Sequence, residues 1–155
     1  MHTYESDTAA WSEEQAVALR AQQWSALDWE HLAEEIEDLK NSLIRTLRSD
    51  IFLIVKHLLK WQVQPDRRSP SWVGTIRDNR IIIEDLLLEN PSLKKLTEDF
   101  VQTKYRKAVE EAADETNLKV SDFPAECPWT FDEVMSIPVS RADVQRTPRR
   151  KQKNR

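Results

Sequence analysis

Asp50 and His57 stand seven residues apart in a stretch free of glycine and proline. On a helix turning about 100° per residue they project within about 20° of one another. Leu39 and Leu43 share that sector, so an ionisable pair there is partly desolvated, a setting that perturbs pKa values and poises a histidine as general base. The plainer alternative makes Asp50 the cap of a helix break and His57 a hydrogen-bonded ring at the edge of the core. Two arginines follow in the connector Gln64-Pro65-Asp66-Arg67-Arg68-Ser69-Pro70-Ser71-Trp72. Arg67 and Arg68 beside a helix start form an anion site for phosphate or carboxylate, which Arg77 and Arg80 extend. The competing use of Arg67 and Arg68 is to pair with the acidic helix before them, with Trp61 and Trp72 as hydrophobic anchors of the loop.

The acidic run Glu34, Glu35, Glu37 and Asp38 has the density of a carboxylate metal helix. A di-iron bundle, however, needs an inward Glu-x-x-His pair from each of two helices. His31 precedes the run, and no Glu-x-x-His occurs in the chain. At helical spacing the four acids fan over the outer faces, so no metal site is expected. Three histidines and one cysteine, Cys127, also exclude a standard structural zinc site, and Cys127 reads as a small buried hydrophobe.

Charge divides the chain. Residues 1–139 carry 16 basic and 26 acidic side chains, whereas residues 140–155 carry seven basic ones against Asp143 alone. The terminus therefore holds a net +6 beside a body of −10. We expect a domain over 1–139 and a tail over 140–155 that is disordered when free. Arg146, Arg149, Arg150, Lys151, Lys153 and Arg155 supply the charge density of a nucleic-acid-binding tail, through counterion release.

The 155 residues contain one glycine, Gly74. A phosphate-binding loop, a dinucleotide fingerprint and a nucleophile elbow all require several. No cofactor is therefore expected. A lone cysteine suits a reducing cytoplasm, and the start of the chain lacks a basic and apolar leader and, with His2, the myristoylation pattern. The apolar run Ile51–Val55 ends at Lys56, far short of the roughly twenty residues of a membrane span.

Prolines punctuate the helices. The first is expected over about Asp7–Gln22, capped by Ser6 or Asp7. The second runs from Asp28 to about Gln62 with Trp29, Leu32, Ile36, Leu39, Leu43, Leu47, Ile51, Ile54, Leu58 and Trp61 on one stripe. Two successive steps of four around Leu47 break its heptad rhythm and allow a kink or break near 48–50, with Ser49-Asp50 capping the continuation. A third helix fits Ser71–Glu89 with Ser71 as cap and Gly74 in its first turn, and a fourth starts after Asn90-Pro91-Ser92 and runs to about Thr116. Thr130-Phe131-Asp132-Glu133 is a capping box that opens a short helix to Met135. The expected fold is an all-α, single-domain bundle of four main helices plus a short fifth.

Several strings, in this order and spacing, resemble a bacterial, largely cyanobacterial family, Domain of Unknown Function 29. They are Tyr4-Glu5-Ser6-Asp7 with Trp11, Leu32-Ala33-Glu34-Glu35-Ile36-Glu37-Asp38-Leu39, His57-Leu58-Leu59-Lys60-Trp61-Gln62, Ser71-Trp72-Val73-Gly74-Thr75-Ile76-Arg77, Asn90-Pro91-Ser92-Leu93, and Phe123-Pro124 through Cys127-Pro128-Trp129-Thr130. The resemblance covers about residues 4–137. It implies an all-α fold in a cytoplasmic bacterial protein, and carries over no activity and no catalytic or ligand residues. Asn79 and the basic tail depart from it.

With no cofactor loop or metal-ligand spacing, the residues point first to a non-enzymatic module that binds a macromolecular partner, a protein or a second copy, with nucleic acid engaged through the tail. The alternative is an enzyme, or a toxin- or antitoxin-like factor, acting on nucleic acid or a phosphoester through a cleft that joins His57, Asp50, Arg77 and Arg80.

Overall fold

A computed structural model describes residues 2–144, and every regular element among them is helical. Five α-helices follow in order: α1 (Thr8–Arg20), α2 (Trp29–Val63), α3 (Pro70–Glu89), α4 (Thr97–Thr116) and α5 (Phe131–Ser136), with short 3-10 turns between them. The expected all-α class is observed. The chain gathers into two compact units, Met1–Leu43 and Ile44–Arg155, and α2 runs through the division. Arg146, Arg149, Arg150, Lys151, Lys153 and Arg155 lie outside the described residues. The expected tail begins with a 3-10 turn, Arg141–Asp143, where Ser140 N–H donates to Asp143 Oδ2 at 3.2 Å.

In the first unit, α1 begins after Asp7, whose extended backbone lets its Oδ1 accept from Ala10 N–H at 3.0 Å. It ends at Arg20, two residues before the expected Gln22, because Gln22 takes a left-handed φ of 58°. Gln22 N–H donates to Leu19 O at 3.1 Å and Gln23 N–H to Ala18 O at 2.9 Å, the two bonds of a Schellman motif. Trp11, Ala18 and Leu27 are buried there, with Gln15 beside them.

The second unit holds the larger core. Leu47, Ile51, Ile54, Leu58 and Leu59 of α2, Ile76 and Ile83 of α3, Val101 of α4 and Val134 of α5 are all fully buried. The break considered near 48–50 does not occur. Leu47 and Ile51 both point into this core, so a continuous ladder satisfies the backbone while burying each in turn. The α3 cap is Ser69, not Ser71. Ser69 Oγ accepts from Trp72 N–H at 3.3 Å and Pro70 takes the first helical position, where its missing N–H is harmless. The start of α4 also moves. Pro91–Leu96 forms a 3-10 segment, and α-helical geometry begins at Thr97. α5 opens on its capping box, with Thr130 Oγ1 accepting from Glu133 N–H at 3.3 Å and Glu133 Oε2 from Thr130 N–H at 2.8 Å.

Moving the α3 start to Pro70 places Gly74 one turn inside the helix rather than in its first turn. Its φ is not positive, and a Cβ built there meets nothing within 4 Å. Alanine at this position should therefore restrict the unfolded chain without strain in the folded one. Gly74→Ala is expected to raise stability by roughly 0.5–1 kcal/mol, read as a higher urea midpoint at unchanged slope.

Candidate functional site

The candidate residues of the second unit do not meet in one cluster. His57 Nδ1 donates to the carbonyl of Leu53 one turn back at 2.8 Å, and burial pushes its pKa down, aided by the nearby Lys60 and Lys56. Asp50 makes no hydrogen bond or ion pair with it. Asp50 Oδ2 is buried without a partner, and burial raises the carboxyl pKa. Arg80 donates from Nε at 3.1 Å and Nη2 at 2.8 Å to Val134 O in α5, so its guanidinium fastens the last turn of that short helix to α3. Arg77 is exposed and reaches its neighbour Asp78 at 3.4 Å. No hydrogen bond or ion pair joins Asp50, His57, Arg77 and Arg80 to one another among the described residues.

In the connector, Arg68 Nε donates to Trp61 O at 3.0 Å, and its guanidinium lies 4.5 Å over the Trp61 ring. Arg68 thus caps the carboxyl end of α2 through its backbone, not through the acidic side chains, and Arg67 stays exposed. Trp61 is buried, as an anchor should be, whereas Trp72 is half-buried beneath Lys60, whose ammonium lies 4.7 Å from its ring. Cys127 is half-buried, with its thiol pushed up by burial and directed at Trp129 O.

The main electrostatic cluster of this unit was not read from the sequence. Lys56 and Lys60 lie on the core side of α2 with only 8% and 6% of their surface exposed. Both reach Glu115 of α4, at 2.8 and 2.6 Å, and Lys56 also reaches Glu111 at 3.2 Å. Burial opposes ionisation of Glu115, but the two ammonium groups prevail and hold its carboxyl at about 2. The readable signal was a matched pair of spacings, lysines four apart on one helix and glutamates four apart on another.

In the first unit a second cluster forms at the start of α2. Asp28 caps the helix, Oδ1 accepting from His31 N–H at 3.3 Å, while Oδ2 accepts from His31 Nδ1 at 2.7 Å and from Trp11 Nε1 at 3.3 Å. Tyr4 stacks on the His31 ring at 4.3 Å between centroids and donates its hydroxyl to Glu35 Oε1 at 2.5 Å. Glu35 is therefore the one acid of the run that turns inward, while Glu34, Glu37 and Asp38 are exposed. An aspartate that orients a histidine is half of a nucleophilic apparatus. Here His31 Nε2 faces Glu5 at 3.6 Å, and among the described residues no hydroxyl or thiol bonds to either ring nitrogen. The cluster ties the N-terminal segment and α1 to α2. Among the described residues no group of three His, Cys, Asp or Glu could hold a metal ion, and no helix is long and apolar enough to cross a membrane.

A helix of a bundle buries its apolar stripe against neighbours, and in the first unit that of α2 is left largely uncovered. Trp29, Ile36 and Leu39 are 59%, 68% and 65% exposed. Trp24 stacks on Trp29 at 6.4 Å and is exposed as well. One short helix and the segment before it cover only the side of α2 that carries Asp28, His31 and Glu35. Between α1 and α2 runs a groove of about 530 Å³, lined by Ala16, Leu19, Leu32 and Glu35 among others, which continues the uncovered strip.

Two measurements check these assignments. Glu115→Gln leaves buried ammonium groups short of a partner and should cost about 1–2 kcal/mol at pH 7, less than a fully buried pair because Glu115 is 40% exposed. Because the Glu115 pKa is depressed on folding, its contribution is complete above the unfolded value of about 4.3 and is lost as pH falls toward 2, so the urea midpoints of variant and wild type should converge in acid. Hydrogen bonding to Asp28 raises the His31 pKa and burial lowers that of His57. NMR titration should find His31 protonating above the ordinary imidazole value and His57 below it. Asp28→Asn should lower the His31 midpoint and leave that of His57 in place. The stability contributed by His31 is present below its unfolded pKa and lost as pH rises through the folded one.

With both units described, comparison with known proteins places the chain. No curated protein and no solved structure matches it. The model of one family, Domain of unknown function DUF29, matches residues 3–138, nearly the whole of both helical units. That span includes the Asp28–His31 cluster, the uncovered face of α2 and the Lys56–Lys60–Glu115 cluster, and the chain belongs to that family.

Proposed function

We propose that this chain is a non-enzymatic helical module that binds a protein partner through the uncovered face of α2 in its first unit. The observation that carries the reading is the exposure of Trp29, Ile36 and Leu39 along one strip of a single helix. Side chains of this size, aligned and left in water, mark an interaction surface more often than chance exposure. The other chemistry supports the same choice. Arg80 and Arg68 are spent on backbone carbonyls, His57 on Leu53 and the buried lysines on Glu115. A cytoplasmic setting fits a chain whose one cysteine has no partner with which to form a disulfide.

Ile36→Asp/Leu39→Asp in the full chain tests the reading. Both side chains are mostly exposed, so the melting temperature should stay within about 3 °C of wild type. Peptides selected by display against the wild-type chain should lose at least tenfold in affinity for the variant. If selected peptides bind the variant at wild-type strength, or if the wild-type chain cleaves a labelled RNA or DNA probe, the reading is wrong.

A further inference from the structure

The charge around the uncovered strip says what kind of protein it takes. Residues 1–43 contain ten acidic side chains and two basic ones, Arg20 and Lys40, a net −8. Residues 44–139 contain 16 acidic and 14 basic, so the negative charge of the body lies almost wholly in the first unit. Among the described residues the ion pairs of this unit run only to His2 and His31, and neither Arg20 nor Lys40 pairs with any of the acids.

Geometry puts part of that charge along the strip. At about 100° per residue, Glu30 and Glu37 lie together roughly a third of a turn round α2 from Ile36, and Glu35 borders the opposite edge. Glu30 and Glu37 are exposed and make no hydrogen bond or ion pair among the described residues. The strip itself carries Trp29, Leu32, Ile36, Leu39 and Leu43 at alternating steps of three and four, the register by which one helix packs along another. The groove beside Leu19 and Leu32 gives a helix laid there a second wall.

We propose that the occupant is an amphipathic helix of another protein, with apolar anchors at i, i+3 or i+4 and i+7 on one face and Lys or Arg along its flanks. This rests on the strip being a docking face and adds the partner's shape and charge. A second copy of the first unit would bring −8 against −8 across the same surface, an arrangement that like-charge repulsion disfavours. A cationic helix instead meets the acidic rim with opposite charge and fills the apolar centre.

Labelled 18-residue helical peptides of identical leucine pattern, one with lysine flanks and one with glutamate flanks, test this by anisotropy against the full chain. A third peptide has the lysine composition in scrambled order. The lysine peptide should bind and the other two should not. Ile36→Asp/Leu39→Asp should weaken it at least tenfold, Glu30→Gln/Glu37→Lys about three- to tenfold, and added salt should weaken it further. If the glutamate peptide binds as well as the lysine peptide, or if only the strip variant has an effect, the charge assignment is overturned and the docking face stands. If wild type sediments as a dimer that Ile36→Asp/Leu39→Asp dissociates, the face is a self-interface and the heterologous helix is overturned. If the scrambled peptide binds equally and neither variant matters, attraction is diffuse, and both the inference and the docking face fall.

Discussion

Because neither glycine nor proline interrupts residues 29–63, the backbone ladder of α2 holds for 35 residues, and its regular turn fixes the direction of every side chain on it. The second unit is organised around the carboxyl-terminal part of this helix, which supplies six of its fully buried side chains. Continuity has a local cost at Asp50. A helix that broke there would have used the carboxylate as a cap, whereas the unbroken ladder carries its Oδ2 into the interior without a donor. The burial of Leu47 and Ile51 on either side outweighs that loss, since each contributes roughly 1.5–3 kcal/mol by leaving water.

The same regularity carries Lys56 and Lys60 into the packed face, and here the fold supplies what Asp50 lacks. Glu115 and Glu111, spaced on α4 as the lysines are on α2, meet them at hydrogen-bonding distance. Two buried ammonium groups without carboxylates would favour either deprotonation or separation of the helices. The network therefore fixes the register of α4 against α2 more than it adds net stability. Arg80 and Arg68 act similarly at the edges, each satisfying a carbonyl near the end of a helix that lacks an intrahelical donor.

Local rules made the helices legible and left the tertiary pairs obscure. The Thr130 box and the Asp7 cap were readable because each is decided within four residues. The start of α3 was misplaced because serines flank Pro70 on both sides and either can cap. That of α4 was misplaced because the leucines at 93 and 96 pack equally well from a 3-10 segment. Lys56, Lys60, Glu111 and Glu115 were missed because charged residues beside an apolar stripe read as its solvated border, and a pairing across 55 or more residues has no local signature. The Asp50–His57 alignment was geometrically sound, yet proximity in angle does not make a bond when the carbonyl of Leu53 accepts from the imidazole N–H.

The first unit differs from the second in what it does with both charge and apolar surface. In the second, acids meet lysines and the stripe of α2 is covered; in the first, the ion pairs of the acids among the described residues run only to histidines, and the stripe lies open at Trp29, Ile36 and Leu39. Leaving an isoleucine or leucine in water forgoes roughly 1.5–3 kcal/mol, and crowding acids on one helix adds self-repulsion. A short α1 cannot relieve both, since it has one face to offer and that face is occupied by Trp11, Gln15 and Ala18. Both costs fall on the same stretch of helix and have the same remedy, a surface that is apolar at its centre and cationic at its edges. The second unit covers the stripe of the same helix and pairs its buried lysines, which makes the coincidence of open stripe and unpaired acids in the first a property of that stretch of α2.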